Sequence, residues 1–528
     1  MAGGLQEILS DPLLAAAHGA STMRHAQARP DMTAMIWDGG ERSWGDFDLR
    51  VNRTVRLLLG AGLAAGDAVA LMCPNRPEFV EIFFACWRSG LRITAINWRL
   101  TGEEAGYILG DCQARVLLVH AECAEAALEA AKVAPLLERT FWIGAPIEGA
   151  EPYDEAMSGL SGDPIEDPVV GSYMLYTSGT TGRPKGVRRD KQPARSPLRD
   201  AAIASGSFRP GEDMALLTGP AYHAAPLALN ILIPMNAGAG LVIMDKWDAE
   251  ETLALVERHS ITHTHMVATM FHRILALDYE IRQKYDLSSM RWLLHGAAPC
   301  PVHVKQAMIE WLGPVVYEYY AGTEGGCFFV DSKVWSSKPG TIGQPFGDQH
   351  ALILDDDGNK LGPNEHGKIY MESPTDAPFE YFGDPEKTKN AYHGEFFTLG
   401  DIGYRDQDGY YFLSGRTAEL IISGGVNIYP QEIDDALLSH PDVVDACTVG
   451  APNEEWGEEV VSVIQLADGV TPNPEITDAL MAHAAGRLAA YKRPRRIEFD
   501  DALPREPTGK ILRRTVRERY WAGMDRRI

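Results

Sequence analysis

Residues 172–187 read SYMLYTSGTTGRPKGV, an apolar run, then small hydroxyl and glycine residues, then a lysine. SYMLYT (172–177) predicts a buried strand, and SGTTGRPKG the loop that follows it. Glycines there let backbone amides turn inward onto a ligand, and hydroxyls add donors. Lys185 supplies a point charge suited to a polyphosphate. Taken alone, such a stretch is more often a polar surface turn. It is not the GxxxxGK[ST] phosphate loop, because Pro184 stands five residues after Gly179 and Gly186 follows Lys185 where Ser or Thr is needed.

From about residue 40 to 330, short β-rich runs alternate with amphipathic helical stretches. DAVALMC (67–73) predicts a strand, FVEIFFACWRS (79–89) the helix after it, and GLVIMD (240–245) another buried strand. Asp248, three residues before Glu251, marks a capping-box-like helix start; Pro301 opens a further helix and Gly313-Pro314 closes it. This rhythm predicts layered α/β sheets, mainly parallel, with ligands at the carboxyl ends of the strands. After about residue 340, GTIGQPFGD, LILDDDG and GYYFLSG predict short strands in a β-rich subdomain. Residues 417–528 read helix–strand–strand–helix–strand, a small α+β domain. The fold class expected is therefore α/β, with a large multi-subdomain N-terminal domain (1–416) and a small mobile C-terminal domain (417–528).

Composition narrows the function classes. The chain has 528 residues, 45% hydrophobic and 23% charged, which is ordinary for a globular protein too long for one core. A net charge of −24 argues against nucleic acid and anionic membrane surfaces as partners. Seven scattered cysteines without a C-x-x-C fit reduced thiols better than disulfides or zinc. The N-terminus lacks a basic n-region, and the apolar run 227–244 is broken by Asn230, Pro234 and Asn236. A buried helix followed by a core strand suits that run better than a membrane span. The expected location is cytoplasmic, with a homodimer left open.

YTSGTTGRPKG resembles the phosphate-binding signature of the adenylate-forming superfamily, in the branch of acyl-CoA synthetases and fatty-acid–CoA ligases. Four further segments match in order, over nearly all of the chain. The resemblance implies that Thr177, Ser178, Gly179, Thr180, Thr181, Gly182 and Lys185 hold ATP phosphates. YYAGTEGG (319–326) is similar to the family's Tyr-Gly-x-Thr-Glu, implying Tyr320 and Ala321 against adenine, Thr323 on a phosphate and Glu324 on Mg²⁺. Ala321 stands where Gly is usual. TLGDIGYRDQDGYYFLSGR (398–416) resembles the ribose and hinge region, with Asp401 on the ribose hydroxyls and Arg416 on ribose or phosphate. Arg416 is followed by Thr417 and Ala418, so the family's polar hinge residue is absent. LIISGGVNIYPQEID (420–434) is similar to the loop used in thioester formation, where Gly424 and Gly425 leave a slot for pantetheine. PREPTGKILRR (504–514) looks like the C-terminal lysine motif, which makes Lys510 catalytic.

The implied reaction joins a carboxylic acid to CoA in two steps, through an acyl-adenylate, with release of pyrophosphate and AMP. Lys510 and the Gly424-Gly425 loop serve different steps and take turns at one site by rotation of the small domain. Acyl-pocket segments are AYHAAP (221–226), HMVATMF (265–271), HGAAPC (295–300) and CFF (327–329). By analogy His223 orients the carboxylate end, and Gly296, Ala297 and Ala298 face bound ligands. No carboxylate is near Tyr222-His223 in sequence, which argues against an amino-acid substrate. The many Ala and Gly leave room for a fatty, aryl or steroid side-chain acid. The rival reading is an adenylating enzyme with another acceptor, such as a carrier protein. RRDKQPARSPLR (188–199) is expected to be a solvated basic face rather than a CoA-phosphate site. His263 and His265 are expected to be ordinary core histidines rather than metal ligands.

Overall fold

The computed structural model describes residues 4–145, 151–177, 184–193, 196–424, 426–506 and 509–522. Ala68–Met72 is buried along its whole length, as expected of a strand covered on both faces. It sits inside a parallel sheet with Arg92–Ala95, Ala114–His120 and Arg139–Ile143. A second sheet aligns Thr33–Trp37, Gly240–Ile243, Met214–Leu217, His263–Met266, Trp292–His295 and Val316–Gly322 in parallel. Helix Pro77–Arg88 lies between the two sheets. Its Phe79, Phe83 and Phe84 are fully buried in a core that also holds Val69 and Leu71 of the first sheet and Leu217 and Leu241 of the second. Asp248 caps helix Ala249–His259 by accepting from the Glu251 amide, and Gly313, at φ +80°, ends helix Val302–Leu312.

Past Val316–Gly322 the second sheet turns antiparallel through Gly325–Val330, Thr341–Pro345 and Tyr411–Arg416. The β-rich subdomain thus continues the α/β sheet. Two details differ from the expected pattern. SYMLYT divides at Met174: Ser172–Tyr173 extends the first sheet, whereas Leu175–Thr177 pairs antiparallel with Lys185–Arg188 in a separate small sheet. Burying the Met174 side chain completely lets the chain leave one sheet for the other. The apolar run 227–244 contains a π-helical turn, Leu227–Leu232, in which buried Asn230 donates to the Leu216 carbonyl.

The last hundred residues have a core of their own, including Ile433, Leu437, Val460, Ile464 and Leu480. Helix Pro430–Leu438 and helix Pro474–Ala485 cover one face of Val443–Asn453 and Gly457–Leu466. A further helix, Arg513–Trp521, packs through Val516 on the opposite face, and Arg513 pairs with buried Asp434 at 2.7 Å. Among the described residues no helix is long and apolar enough to cross a membrane.

Candidate active site

One continuous cleft of about 3050 Å³ runs from the strand ends of the large sheet to the inner face of the terminal segment. Asp401 and Arg416 face each other across a strand pair, and the Arg416 Nε donates to Asp401 Oδ1 at 2.8 Å. Tyr320, from Val316–Gly322, donates its phenol to Asp401 Oδ2 at 2.5 Å. Each carboxylate oxygen keeps a second lone pair, so the pair is held in place and still accepts from a ligand. Thr323 and Glu324 form the turn after Tyr320-Ala321-Gly322. The Glu324 side chain is buried and its Oε1 accepts from the Tyr381 phenol at 2.8 Å. A Cβ at Gly322 would sit 2.8 Å from Glu324 Oε2 and 2.6 Å from Leu399, so only glycine leaves that carboxylate its place.

Lys510 enters this cleft from the small terminal unit. Arg505 donates to the Gly509 carbonyl and pairs with Asp445, and the Glu506 amide donates to the Lys510 carbonyl at 2.8 Å, which ties the turn down. Gly509, at φ +84°, lies against Thr269 of the large unit, and a Cβ there would run into the Thr269 hydroxyl. Burial lowers the Lys510 pKa first and the Arg416 guanidinium second; Glu506, Glu419 and Asp401 oppose them. The same cleft continues past His223, whose buried Nε2 has no hydrogen-bond partner among the described residues. Burial pushes His223 down to about 4, so its imidazole is neutral near pH 7. Beyond it the wall is small: Ala224, Ala225, Ala228, Ala297 and Ala298 line this arm. Gly296 has no room for a Cβ, 2.5 Å from the Tyr319 ring, and Ala297 sits at φ +67°. His265 and Tyr319, 3.3 Å apart, give the arm a polar pair.

Residues 23–378 match the family model described as AMP-binding enzyme, and residues 432–510 match its C-terminal domain. The chain belongs to the AMP-binding enzyme family. It is 32% identical to the fatty acid–[acyl-carrier-protein] ligase ScoC of Streptomyces coeruleorubidus, over 96% of this chain and 97% of that one. It is also 32% identical to the indoleacetate–CoA ligase of Aromatoleum aromaticum, over 94% and 96% of the two chains. The crystal structure of the anthranilate CoA ligase AuaEII with anthranoyl-AMP superposes with a TM-score of 0.84 at 26% identity, covering 96% of this chain and 97% of that one. This AMP-binding enzyme is an adenylate-forming acid–thiol ligase.

In this AMP-binding enzyme the expected residues separate into two groups. Thr323, Glu324, Tyr320, Ala321, Asp401, Arg416, Lys510, His223, Ala297 and Ala298 all line the one cleft, as does Thr177. Gly424 does not: it sits at φ +58° with its amide donating to the Trp456 carbonyl at 2.8 Å, and a Cβ would lie 2.7 Å from the Trp456 indole. In this arrangement Lys510 lines the cleft and Gly424 does not. Lys185 faces Thr177 across a strand pair and forms an ion pair with Asp384 at 3.1 Å. Ser178, Gly179, Thr180, Thr181, Gly182 and Gly425 lie outside the described residues.

Within the tract 188–199, Asp190 and Lys191 are exposed as expected, but Arg189 is not part of a solvated face. Arg189 is half-buried; it donates to the backbone carbonyls of Glu324 and Ala377 and lies 5.9 Å from the Phe379 ring centroid. Its charge braces the Glu324 turn, a use that a run of charges in sequence does not announce. Arg188 pairs with Glu380 at 2.7 Å. His263 and His265 are buried, with His263 Nε2 on the Gly206 carbonyl at 2.7 Å. Two functional neighbours were missed. Tyr381 reaches Glu324 from 57 positions away. Glu506 lines the cleft and its charge raises the pKa of both His223 and Lys510, so a carboxylate does stand by His223, brought there from the far end of the chain. Where family members have a polar hinge residue, Thr417–Glu419 forms a short 3₁₀ turn, and the Thr417 amide and hydroxyl both bond the Gly400 carbonyl.

Proposed function

We propose that this enzyme joins a hydrophobic carboxylic acid to CoA through an acyl-adenylate, releasing pyrophosphate and then AMP. The observation that carries the reading is a half-buried lysine, Lys510, held beside Asp401 and Arg416 at the junction of the nucleotide end and the alanine-walled arm. In this reading Asp401 accepts from the ribose hydroxyls and holds Arg416 ready for ribose or phosphate. His223, neutral, donates from its ring to the acid's carboxylate, and Lys510 places its ammonium between that carboxylate and the α-phosphate, where negative charge gathers. Lys185 and the loop before it hold the phosphates that leave.

Magnesium fits the residues present. Glu324 offers a buried carboxylate whose Oε1 is oriented by Tyr381, and no group of three or more His, Cys, Asp or Glu is gathered among the described residues. Mg²⁺ takes one or two protein carboxylates and completes its shell with phosphates and water. Glu324 would hold it, and its chemistry there is to neutralise phosphate charge.

For the second step the unit from 417 to 528 turns about the Arg416–Glu419 segment, withdrawing Lys510 and bringing in the Gly424-Gly425 turn. The wall of small residues favours a bulky acid (fatty, aryl or steroid side chain). The test is pyrophosphate release over a panel of such acids, each with CoA, with acyl-carrier protein, or with neither thiol. Thioester on CoA for a bulky acid is the expected result. Thioester on the carrier protein alone would move the assignment to the acyl-AMP ligases, and no pyrophosphate from any acid would remove it.

A further inference from the structure

We propose that Lys387 is a second phosphate-binding lysine of the nucleotide site, acting with Lys185 on the terminal phosphates of ATP. This rests on the ATP-dependent reading above and names a residue that the sequence motifs do not. Helix Pro385–Ala391 begins beside the phosphate end of the cleft, with Asp384 as its cap accepting from the Lys387 amide at 3.0 Å. The other oxygen of Asp384 holds Lys185 at 3.1 Å, so the motif lysine is already charge-paired. Lys387 is not. Its side chain is half-buried and lines the cleft together with Tyr381 and Glu324. The ammonium lies 4.3 Å from the Tyr381 ring centroid, and among the described residues no carboxylate is within ion-pair distance of it.

The charge balance gives the lysine a purpose. Lys185 and Asp384 offset each other, and Arg189 is held by the Glu324 and Ala377 carbonyls, which leaves Lys387 beside the Glu324 carboxylate with its charge unspent. A polyphosphate beside the Glu324 carboxylate is stabilised by a bound magnesium ion and further by a second cation. Tyr381 links the two: its phenol donates to Glu324 at 2.8 Å while its ring face carries the Lys387 ammonium. The ring thus fixes the lysine close to the carboxylate without letting it form the ion pair that would spend its charge. Burial lowers the Lys387 pKa and Glu324 opposes that, so the neighbouring carboxylate helps keep the compact ammonium charged for phosphate oxygen.

Calorimetric titration with MgATP and with AMP separates this role from a structural one, because AMP lacks the terminal phosphates. In Lys387→Gln, MgATP should bind about 10- to 100-fold more weakly, as expected for loss of a charge-assisted contact, with AMP affinity unchanged. Lys387→Arg should recover most of the loss. Unchanged MgATP affinity in Lys387→Gln, or equal weakening of MgATP and AMP, overturns the assignment while leaving the ligase reading in place. A wild-type enzyme that binds neither nucleotide overturns both. The thermal midpoint of Lys387→Gln should match wild type, since the ammonium's described contact is one ring face.

Discussion

The Lys510 ammonium has to stay charged in a place where burial and Arg416 both oppose its charge. Glu506 supplies part of the compensation, together with Glu419 and Asp401. The sign of the consequence follows directly. A free lysine loses its proton near about pH 10.4. With the pKa lowered in the folded enzyme, the adenylation rate should fall at a lower pH than that, as the ammonium is lost on the alkaline side. Rapid-quench measurement of pyrophosphate release between about pH 7 and 10 should show this limb. In Lys510→Arg it should move out of range, because a guanidinium keeps its proton throughout. Lys510→Ala should slow adenylation by about 10²- to 10³-fold, the usual scale for one lost electrostatic stabiliser. Thioester formation from supplied acyl-adenylate should be spared. A limb unmoved in Lys510→Arg would assign it to another group.

At the scale of elements, the catalytic turn and the strand-end loops meet through small residues. Gly509 rests on Thr269 at a left-handed φ, so Gly509→Ala adds both strain and a collision. The expected effect is a shift of the small unit away from this arrangement: adenylation slower by about tenfold or more, the second half-reaction unharmed. Thr269→Ala in the same chain removes the hydroxyl that the new Cβ would strike and should restore part of the rate. Equal loss in both half-reactions would mean that the turn is merely unfolded. Much of this architecture is legible in local sequence. Ala68–Met72, the Asp248 cap and the Gly313 stop are each dictated by neighbours within a few residues. What local sequence could not carry depends on partners far along the chain. Met174 switches sheets because two different strands compete for its flanks, and Arg189 leaves the surface because Glu324 and Ala377 present carbonyls to it. The catalytic motifs were readable because their spacing holds a turn; Tyr381 and Lys387 belong to no such turn, and Glu506, inside the lysine turn, gains its role only from the distant His223 it faces.

At the scale of the whole molecule, in the proposed mechanism a large unit offers the nucleotide and acyl surfaces and a small one presents either of two faces to them. The large unit's stability near that cleft depends on histidines kept neutral. His265 is 1% exposed on a strand buried from end to end, and burial pushes its imidazole down to about 3. His263, His295 and His25 are lowered by the same cause. An unfolded histidine binds its proton near about pH 6.5. As pH falls below that value the unfolded chain gains protons that the folded one refuses, so stability is full above about 6.5 and declines toward the folded pKa. By pH 5 the loss from His265 alone is about 2 kcal/mol. The thermal midpoint should therefore drop between pH 7.5 and 5. His265→Asn, which keeps an oxygen for the Tyr319 hydroxyl but has nothing to titrate, should flatten that drop whatever it does to the midpoint at pH 7.5. An unchanged slope in His265→Asn would place the acid sensitivity in other groups.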